Sequence, residues 1–279
     1  MTDKIILENV KKKYVNFQLG EISFPVPKGY ITGFIGKNGQ GKTTTIRSIL
    51  SLINFEGTIL IDGQSNENLE YLQEAGVVMD ESFLAKDWNM NLVDKAMDIG
   101  YKDWDSGKFK AYLEGFGIPL KSKVKELSRG MKTKLMLSIA LSHGARLLVL
   151  DEPTSGLDPS MRDEFADIIQ DFVGEEDNTV LFSTHITQDL EAIADYIVFI
   201  DDGKLVDFDT KEDFIEKYRI VKAGLEELKG VEDFLLGKKV TRVGFEGLVK
   251  EKFVEKISSD ILVERATIDD IMVLYGRKK

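Results

Sequence analysis

The 279-residue sequence contains no cysteine. Disulfides, thiolate metal sites and thiol nucleophiles are therefore excluded. Histidine is nearly as scarce. His143 and His185 are the only two, too few for a histidine-rich metal site. No apolar run approaches the roughly 18 residues needed to cross a bilayer. Residues 1–14 carry scattered charges, with no apolar h-region and no small-residue cleavage site. This predicts a cytoplasmic chain that reaches a membrane only through a partner. Basic residues are outnumbered, 37 against 48 acidic, and the net charge of −11 argues against a broad nucleic-acid footprint. Internal repeats and low-complexity tracts are absent as well. What remains is ordinary for a soluble globular protein: 43% hydrophobic and 30% charged residues, in a length that suits one large domain or two smaller ones.

Against this background one stretch stands out, Gly36-Lys37-Asn38-Gly39-Gln40-Gly41-Lys42-Thr43. It fits the phosphate-loop pattern G-x-x-x-x-G-K-[ST]. Ile31 to Ile35 before it reads as a buried strand. Thr44 to Leu52 after it reads as a helix with Ile46, Ile49 and Leu50 on one face. Strand, glycine-rich loop and helix N-terminus together make an anion site, because backbone N–H groups curl around phosphate oxygens where the helix dipole favours negative charge. The pattern puts Gly36, Asn38, Gly39, Gln40, Gly41, Lys42, Thr43 and Thr44 on a nucleoside triphosphate. Lys42 is expected to reach the β- and γ-phosphates, and the Thr43 hydroxyl to ligate Mg²⁺. A plain glycine-rich turn would not need both flanking elements.

From Lys4 to Ile61 the chain reads as strand-rich, with turn signals at Pro27-Lys28-Gly29 and Asp62-Gly63. Phe83 to Ser142 reads as mostly helical. Strands return at Leu147–Leu150, Thr179–Phe182 and Tyr196–Ile200, separated by helices, one of them running from Asp158-Pro159 to Gly174. Asp202-Gly203 marks a hairpin. Alternation of strands and helices predicts an α/β fold with a parallel sheet covered on both faces. Beyond about residue 210 the pattern becomes a small α+β appendage, with helices opening at Thr210 and Thr267 and weak strands at Lys239–Val243 and Ile261–Glu264.

Leu147-Leu148-Val149-Leu150-Asp151-Glu152 is an apolar strand ending in two carboxylates. Asp151 suits Mg²⁺, and Glu152 suits the orientation or deprotonation of an attacking water. Ser128 can cap a helix running to about Ser142, with its hydroxyl and the following N–H groups forming a second anion site. Read alone, each is better taken as a solvated acidic turn or a plain helix cap.

Taken together and in this order, Lys42, Leu127-Ser128-Arg129-Gly130-Met131, Asp151-Glu152, Ser155-Gly156-Leu157-Asp158 and Ser183-Thr184-His185 resemble the ATP-binding cassette (ABC) family over residues 4 to 208. The family signature is Leu-Ser-Gly-Gly-Gln, and Arg129 and Met131 depart from it. The resemblance implies a phosphate-loop core at 1–209 with an antiparallel β subdomain, a helical insertion at about 83–142, and the appendage at 210–279. It implies that Ser128, Arg129, Gly130 and Asp158 meet ATP held by a second cassette subunit. It further implies that His185 contacts the γ-phosphate and that Tyr14 stacks on adenine, with Phe17 as the alternative. Many members carry a glutamine after the strand Gly76–Met79. Here Asp80-Glu81 follow, candidate metal ligands of the kind found in peptide and lantibiotic exporters. The function so implied is ATP hydrolysis on the inner face of the cell membrane, driving separate transmembrane permease subunits that export peptides or antimicrobials. The alternatives are a soluble cassette ATPase of iron–sulfur assembly and an ATP-gated regulatory module.

Overall fold

The computed structural model describes residues 2–79, 83–175, 177–275 and 277. β1 (Asp3–Lys13) and β2 (Gln18–Pro27) form an antiparallel hairpin. β3 (Ile31–Ile35), buried at every position, runs into the glycine-rich loop and α1 (Lys42–Ile49). β4 (Glu56–Ile61) and β5 (Gln64–Ser65) then rejoin the hairpin, completing an antiparallel sheet in the order β2-β1-β4-β5. β6 (Ala75–Val78) precedes three helices, α2 (Met90–Gly100), α3 (Ser106–Gly115) and α4 (Arg129–Leu141). The chain continues through β7 (Leu147–Asp151), α5 (Pro159–Gly174), β8 (Thr179–Thr184), α6 (Thr187–Ile193), β9 (Tyr196–Asp201) and β10 (Lys204–Thr210).

The second sheet has the order β10-β9-β3-β8-β7-β6 and is parallel apart from the β9–β10 hairpin. Parallel strands covered on both faces must be apolar throughout, which is why β3 and β7 read as unbroken runs. The helices start where the sequence places short polar side chains. Asn89, Asp105, Ser128 and Asp158 each accept the N–H three residues on, at Leu92, Lys108, Met131 and Met161. One apolar core lies between the antiparallel sheet, α1 and one face of the parallel sheet, around Phe34, Ile46 and Val149. The other face is covered by α2 to α6 around Phe109, Leu137 and Phe182. The loops after β3, β7 and β8 therefore emerge together at the carboxyl end of the sheet, where α/β folds bind ligands.

The appendage holds more sheet than the sequence pattern suggests. After α7 (Lys211–Glu216) come β11 (Tyr218–Ala223), α8 (Leu228–Val231), β12 (Leu235–Val240), β13 (Phe245–Lys250), β14 (Leu262–Arg265) and α9 (Ile268–Tyr275). Its four antiparallel strands are ordered β12-β13-β11-β14. The two expected strands correspond to β12, which lies a few residues earlier, and β14. β11 escapes notice because a single residue separates it from α7. Gly247 weakens the strand signal of β13. Thr210 and Thr267 open their helices as expected, with Asp213 and Asp270 completing the caps. The apolar core continues across residue 210: Phe214, Tyr218, Ile271 and Leu274 join the cluster that contains Phe199 and Leu190.

Polar contacts fasten the same junction. Asp207 on β10 accepts from Lys217 Nζ at 2.6 Å, Tyr218 Oη at 3.0 Å and Lys250 Nζ at 3.3 Å. Burial alone would raise the Asp207 pKa, yet the hydrogen bond from Lys217 and the charge of Lys250 hold it below the usual carboxylate range. Burial and the Asp207 charge push the Tyr218 phenol up, so it remains a donor. A carboxyl whose pKa is lowered on folding adds stability above its unfolded pKa of about 3.9, and that stability is lost as the pH falls through this range. Asp207→Ala is expected to cost about 1–3 kcal/mol at pH 7, measured by denaturant unfolding, with the gap from the parent narrowing towards pH 3. Equal stability at pH 7 would mean that this network adds nothing.

Candidate nucleotide-binding site

Three loop segments converge on one cleft of about 580 Å³. Asn38, Thr43 and Arg47 come from the glycine-rich loop and α1. Asp151, Glu152 and Ser155 follow β7, and His185 follows β8. The loop conformation depends on glycine. Gly41 has φ +112°, and a Cβ there would meet Leu19 Cδ1 at 2.8 Å and the Phe17 ring at 3.1 Å. Its carbonyl accepts from both the N–H and the hydroxyl of Thr45, which ties the loop to the first turn of α1. Gln40 is tied in turn to the β9–β10 hairpin, through its side chain to Asp202 N and through its carbonyl to Gly203 N.

Lys42 is 5% exposed, so its ammonium needs oxygen partners. It donates to Gly36 O at 2.6 Å and to Lys37 O at 3.3 Å. Its Nζ also lies 3.0 Å from Glu152 Oε1, within charge attraction although not aligned for a hydrogen bond. The other Glu152 oxygen, Oε2, meets His185 Nδ1 at 2.6 Å and accepts from His185 N at 3.2 Å. A carboxylate only accepts, so Nδ1 carries the proton. Lysine, glutamate and histidine thus form a continuous chain across the cleft. Glu152 holds this position with φ +51°, a left-handed conformation that costs a non-glycine residue on the order of 1–2 kcal/mol.

Asp151 is 5% exposed and accepts from Ser183 Oγ at 2.6 Å. Thr43 and Asp151 face one cleft with hard oxygen donors, the chemistry that suits Mg²⁺ shared with phosphate oxygens. Asp80 and Glu81, the other candidate metal ligands, lie outside the described residues. Among the described residues no cluster of three or more His, Cys, Asp or Glu could hold a metal by itself.

The expected partner-facing residues divide. Ser128 is exposed, with Oγ accepting from Met131 N at 3.2 Å, and is not on the wall of this cleft. Gly130 is buried against Met161 and Leu157, where a Cβ would lie 2.6 Å from Met161 Cε. Asp158 is exposed and caps α5. Arg129 does line the cleft of its own chain, beside Glu152 and Ser155. Tyr14 is 41% exposed in the β1–β2 turn with Lys12 Nζ 5.6 Å from its ring, whereas Phe17 is the aromatic that packs against the phosphate loop at Gly41. His143 sits far from this chemistry in role. It is buried, stacks on Tyr101 at 4.0 Å, and burial pulls its pKa down. Arg47 is a site residue without a sequence signal of its own, since a single arginine beside a motif is common, whereas Ser155 and Ser183 fall within motifs of the resemblance.

A model of the ABC transporter family matches residues 19–155. The lantibiotic transport ATP-binding protein SrtF of Streptococcus pyogenes is 32% identical over 221 residues, covering 76% of this chain and 94% of that protein. The chain belongs to the ABC transporter family. The bacitracin transport ATP-binding protein BcrA of Bacillus licheniformis, another relative in that family, is 35% identical over 67% of this chain and 62% of its own length. Among solved structures, an ATP-binding subunit of an ABC transporter superposes with a TM-score of 0.68 at 23% identity, covering 76% of this chain and 91% of that one. A dimeric bacterial ABC transporter cassette superposes with a TM-score of 0.66 at 21% identity, covering 74% and 98%. The fold is therefore that of the ABC ATPase cassette, with the antiparallel sheet and helical insertion described above.

Gly41→Ala would force an L side chain into the ABC phosphate loop at positive φ and against Leu19 and Phe17. Nucleotide affinity measured by calorimetry is expected to fall at least about tenfold, the equivalent of 1–2 kcal/mol of backbone strain. Parent-like affinity would show that the loop tolerates a Cβ there.

Proposed function

We propose that this chain is the ATP-hydrolysing subunit of an exporter for peptides or other antimicrobials, bound to the inner face of the membrane through separate permease subunits. The observation that carries this reading is the Lys42–Glu152–His185 chain in one cleft with Thr43 and Asp151. Relatives whose names describe lantibiotic and bacitracin transport support the cargo class. Among the described residues no helix is long and apolar enough to cross a membrane, which fits a chain that borrows its membrane part.

ATP enters with its phosphates against the N–H groups of Gly36 to Thr44. Lys42 exchanges Gly36 O and Glu152 for the β- and γ-phosphate oxygens. Thr43 and Asp151 would hold Mg²⁺, which neutralises phosphate charge when bound. Glu152, released from Lys42, orients a water and takes its proton as the water oxygen bonds to the γ-phosphorus. The bond from that phosphorus to the β–γ bridging oxygen breaks, leaving ADP and phosphate. His185, freed together with Glu152, donates a ring N–H to a γ-phosphate oxygen. Ser128, Gly130 and Asp158 of a second copy complete the site from outside. Their exposed position, off this chain's own cleft wall, favours that role for Ser128 and Asp158. Arg129, expected beside them, also lines the cleft of its own chain. A regulatory module without hydrolysis would not require the full set of Lys42, Asp151, Glu152 and His185.

Glu152→Gln is expected to bind ATP with near-parent affinity while turnover falls about 10²–10⁴-fold, as for loss of a general base. Size-exclusion chromatography with ATP should then show a persistent dimer. Undiminished turnover would remove Glu152 from this role. Purification from detergent-solubilised membranes should bring down an integral membrane protein. A soluble partner alone, of the iron–sulfur assembly type, would overturn the exporter reading.

A further inference from the structure

The appendage carries no reactive constellation of its own, yet its last helix meets the phosphate loop at one end and the helix that follows His185 at the other. At the C-terminal end of α9, Lys37 Nζ donates to Val273 O at 3.2 Å. The last carbonyls of a helix lack partners within it and carry the negative end of its dipole, so an ammonium there caps the helix. At the N-terminal end, Thr187 Oγ1 donates to Asp269 Oδ1 at 3.2 Å, and Ile268 N donates to Glu191 Oε1 at 3.2 Å. Thr187 and Glu191 belong to α6, which starts two residues after His185. Between these ends, Ile268, Ile271, Met272 and Leu274 are buried, and Tyr275 meets the Phe199 ring at 5.2 Å. α9 therefore spans from the phosphate loop to the helix that follows the histidine.

Lys37 is the pivot because both halves of it are engaged. Its carbonyl accepts from Lys42 Nζ and from Gln40 N, each at 3.3 Å, while its side chain holds α9. When Lys42 turns to phosphate it must release the Lys37 carbonyl. The side chain of the same residue carries the contact to Val273, so a shift of the Lys37 backbone bears on both. On the opposite side, phosphate replaces Glu152 as the partner of Lys42, which frees Glu152 and His185 two residues ahead of Thr187.

We propose that α9 is a cis brace on the ATP site, with Lys37 as a positioning residue, and that nucleotide binding loosens its contacts. The proposal rests on Gly36 to Thr43 being the ATP site, and not on export or on a second copy. Binding and docking are then reciprocal: whatever factor ATP loosens α9 by, loosening α9 tightens ATP by the same factor.

Hydrogen exchange on the full chain, with and without a non-hydrolysable ATP analogue and Mg²⁺, tests this. The expected result is protection of amides 41–46 together with several-fold faster exchange at 271–275. In Lys37→Met the α9 amides should exchange fast in both conditions, while Lys37→Arg, which keeps a donor, restores the response. Asp269→Ala and Thr187→Val, whose side chains meet each other rather than phosphate, should each bind the analogue roughly three- to tenfold more tightly, the worth of one hydrogen bond. Protection at 41–46 with unchanged exchange at 271–275 would overturn the brace alone. Parent-like affinity in both Asp269→Ala and Thr187→Val would do so too. Absence of protection at 41–46 would overturn the nucleotide site itself, and the brace with it.

Discussion

An ammonium withdrawn from water must sit on oxygen, and the arrangement of this site follows from how Lys42 meets that need. With Nζ nearly buried, it rests on two main-chain carbonyls and beside one Glu152 oxygen. The other Glu152 oxygen is then committed to His185. The positive φ of Glu152 belongs to the same constraint, since it turns the carboxylate back across the cleft between the two basic groups. A phosphate offers Lys42 stronger oxygen partners than carbonyls and one carboxylate. Its arrival therefore draws Lys42 away from the two carbonyls and from Glu152.

The fold supplies rigidity where that redistribution needs it. β3, β7 and β8 are neighbours in one parallel sheet, buried on both faces, so the loops that follow them share a fixed origin. Ser183 on β8 holds Asp151 on β7, and Glu152 N donates to Ser183 O at 3.0 Å, which locks the two strand ends together. Ser128 and Asp158 lie outside the cleft as exposed helix caps.

Local chemistry explains which parts were legible in the sequence. The glycine-rich loop, the strand ending in Asp151 and Glu152, and the caps at Ser128, Asp158, Thr210 and Thr267 each depend on residues within a few positions of one another, and each forms where the pattern places it. The contacts that join them do not. Lys37 and Val273 are 236 positions apart, and Lys37 occupies a variable position of its motif. Arg129 reads as a departure from a signature, and only the packing of α4 beside the loop after β7 turns it towards its own cleft. Spacing points to Tyr14 with Phe17 as the alternative, and the turn at 14–17 places Phe17 against Gly41. β11 and β13 were illegible because turn punctuation is missing before one and glycine interrupts the other.

The central claim is that each chain supplies half of two ATP sites, Lys42 for its own and Ser128 for its partner's. Mixing Lys42→Ala with Ser128→Arg tests it most directly, by phosphate release at saturating ATP. Neither variant alone should turn over. In a mixed dimer one site recovers an intact Lys42 facing an intact Ser128, so activity should return towards a fraction of the parent's. A mixture as inactive as its components, with mixed dimers demonstrated by tagged pull-down, would contradict the account, as would full activity of the Ser128 variant alone.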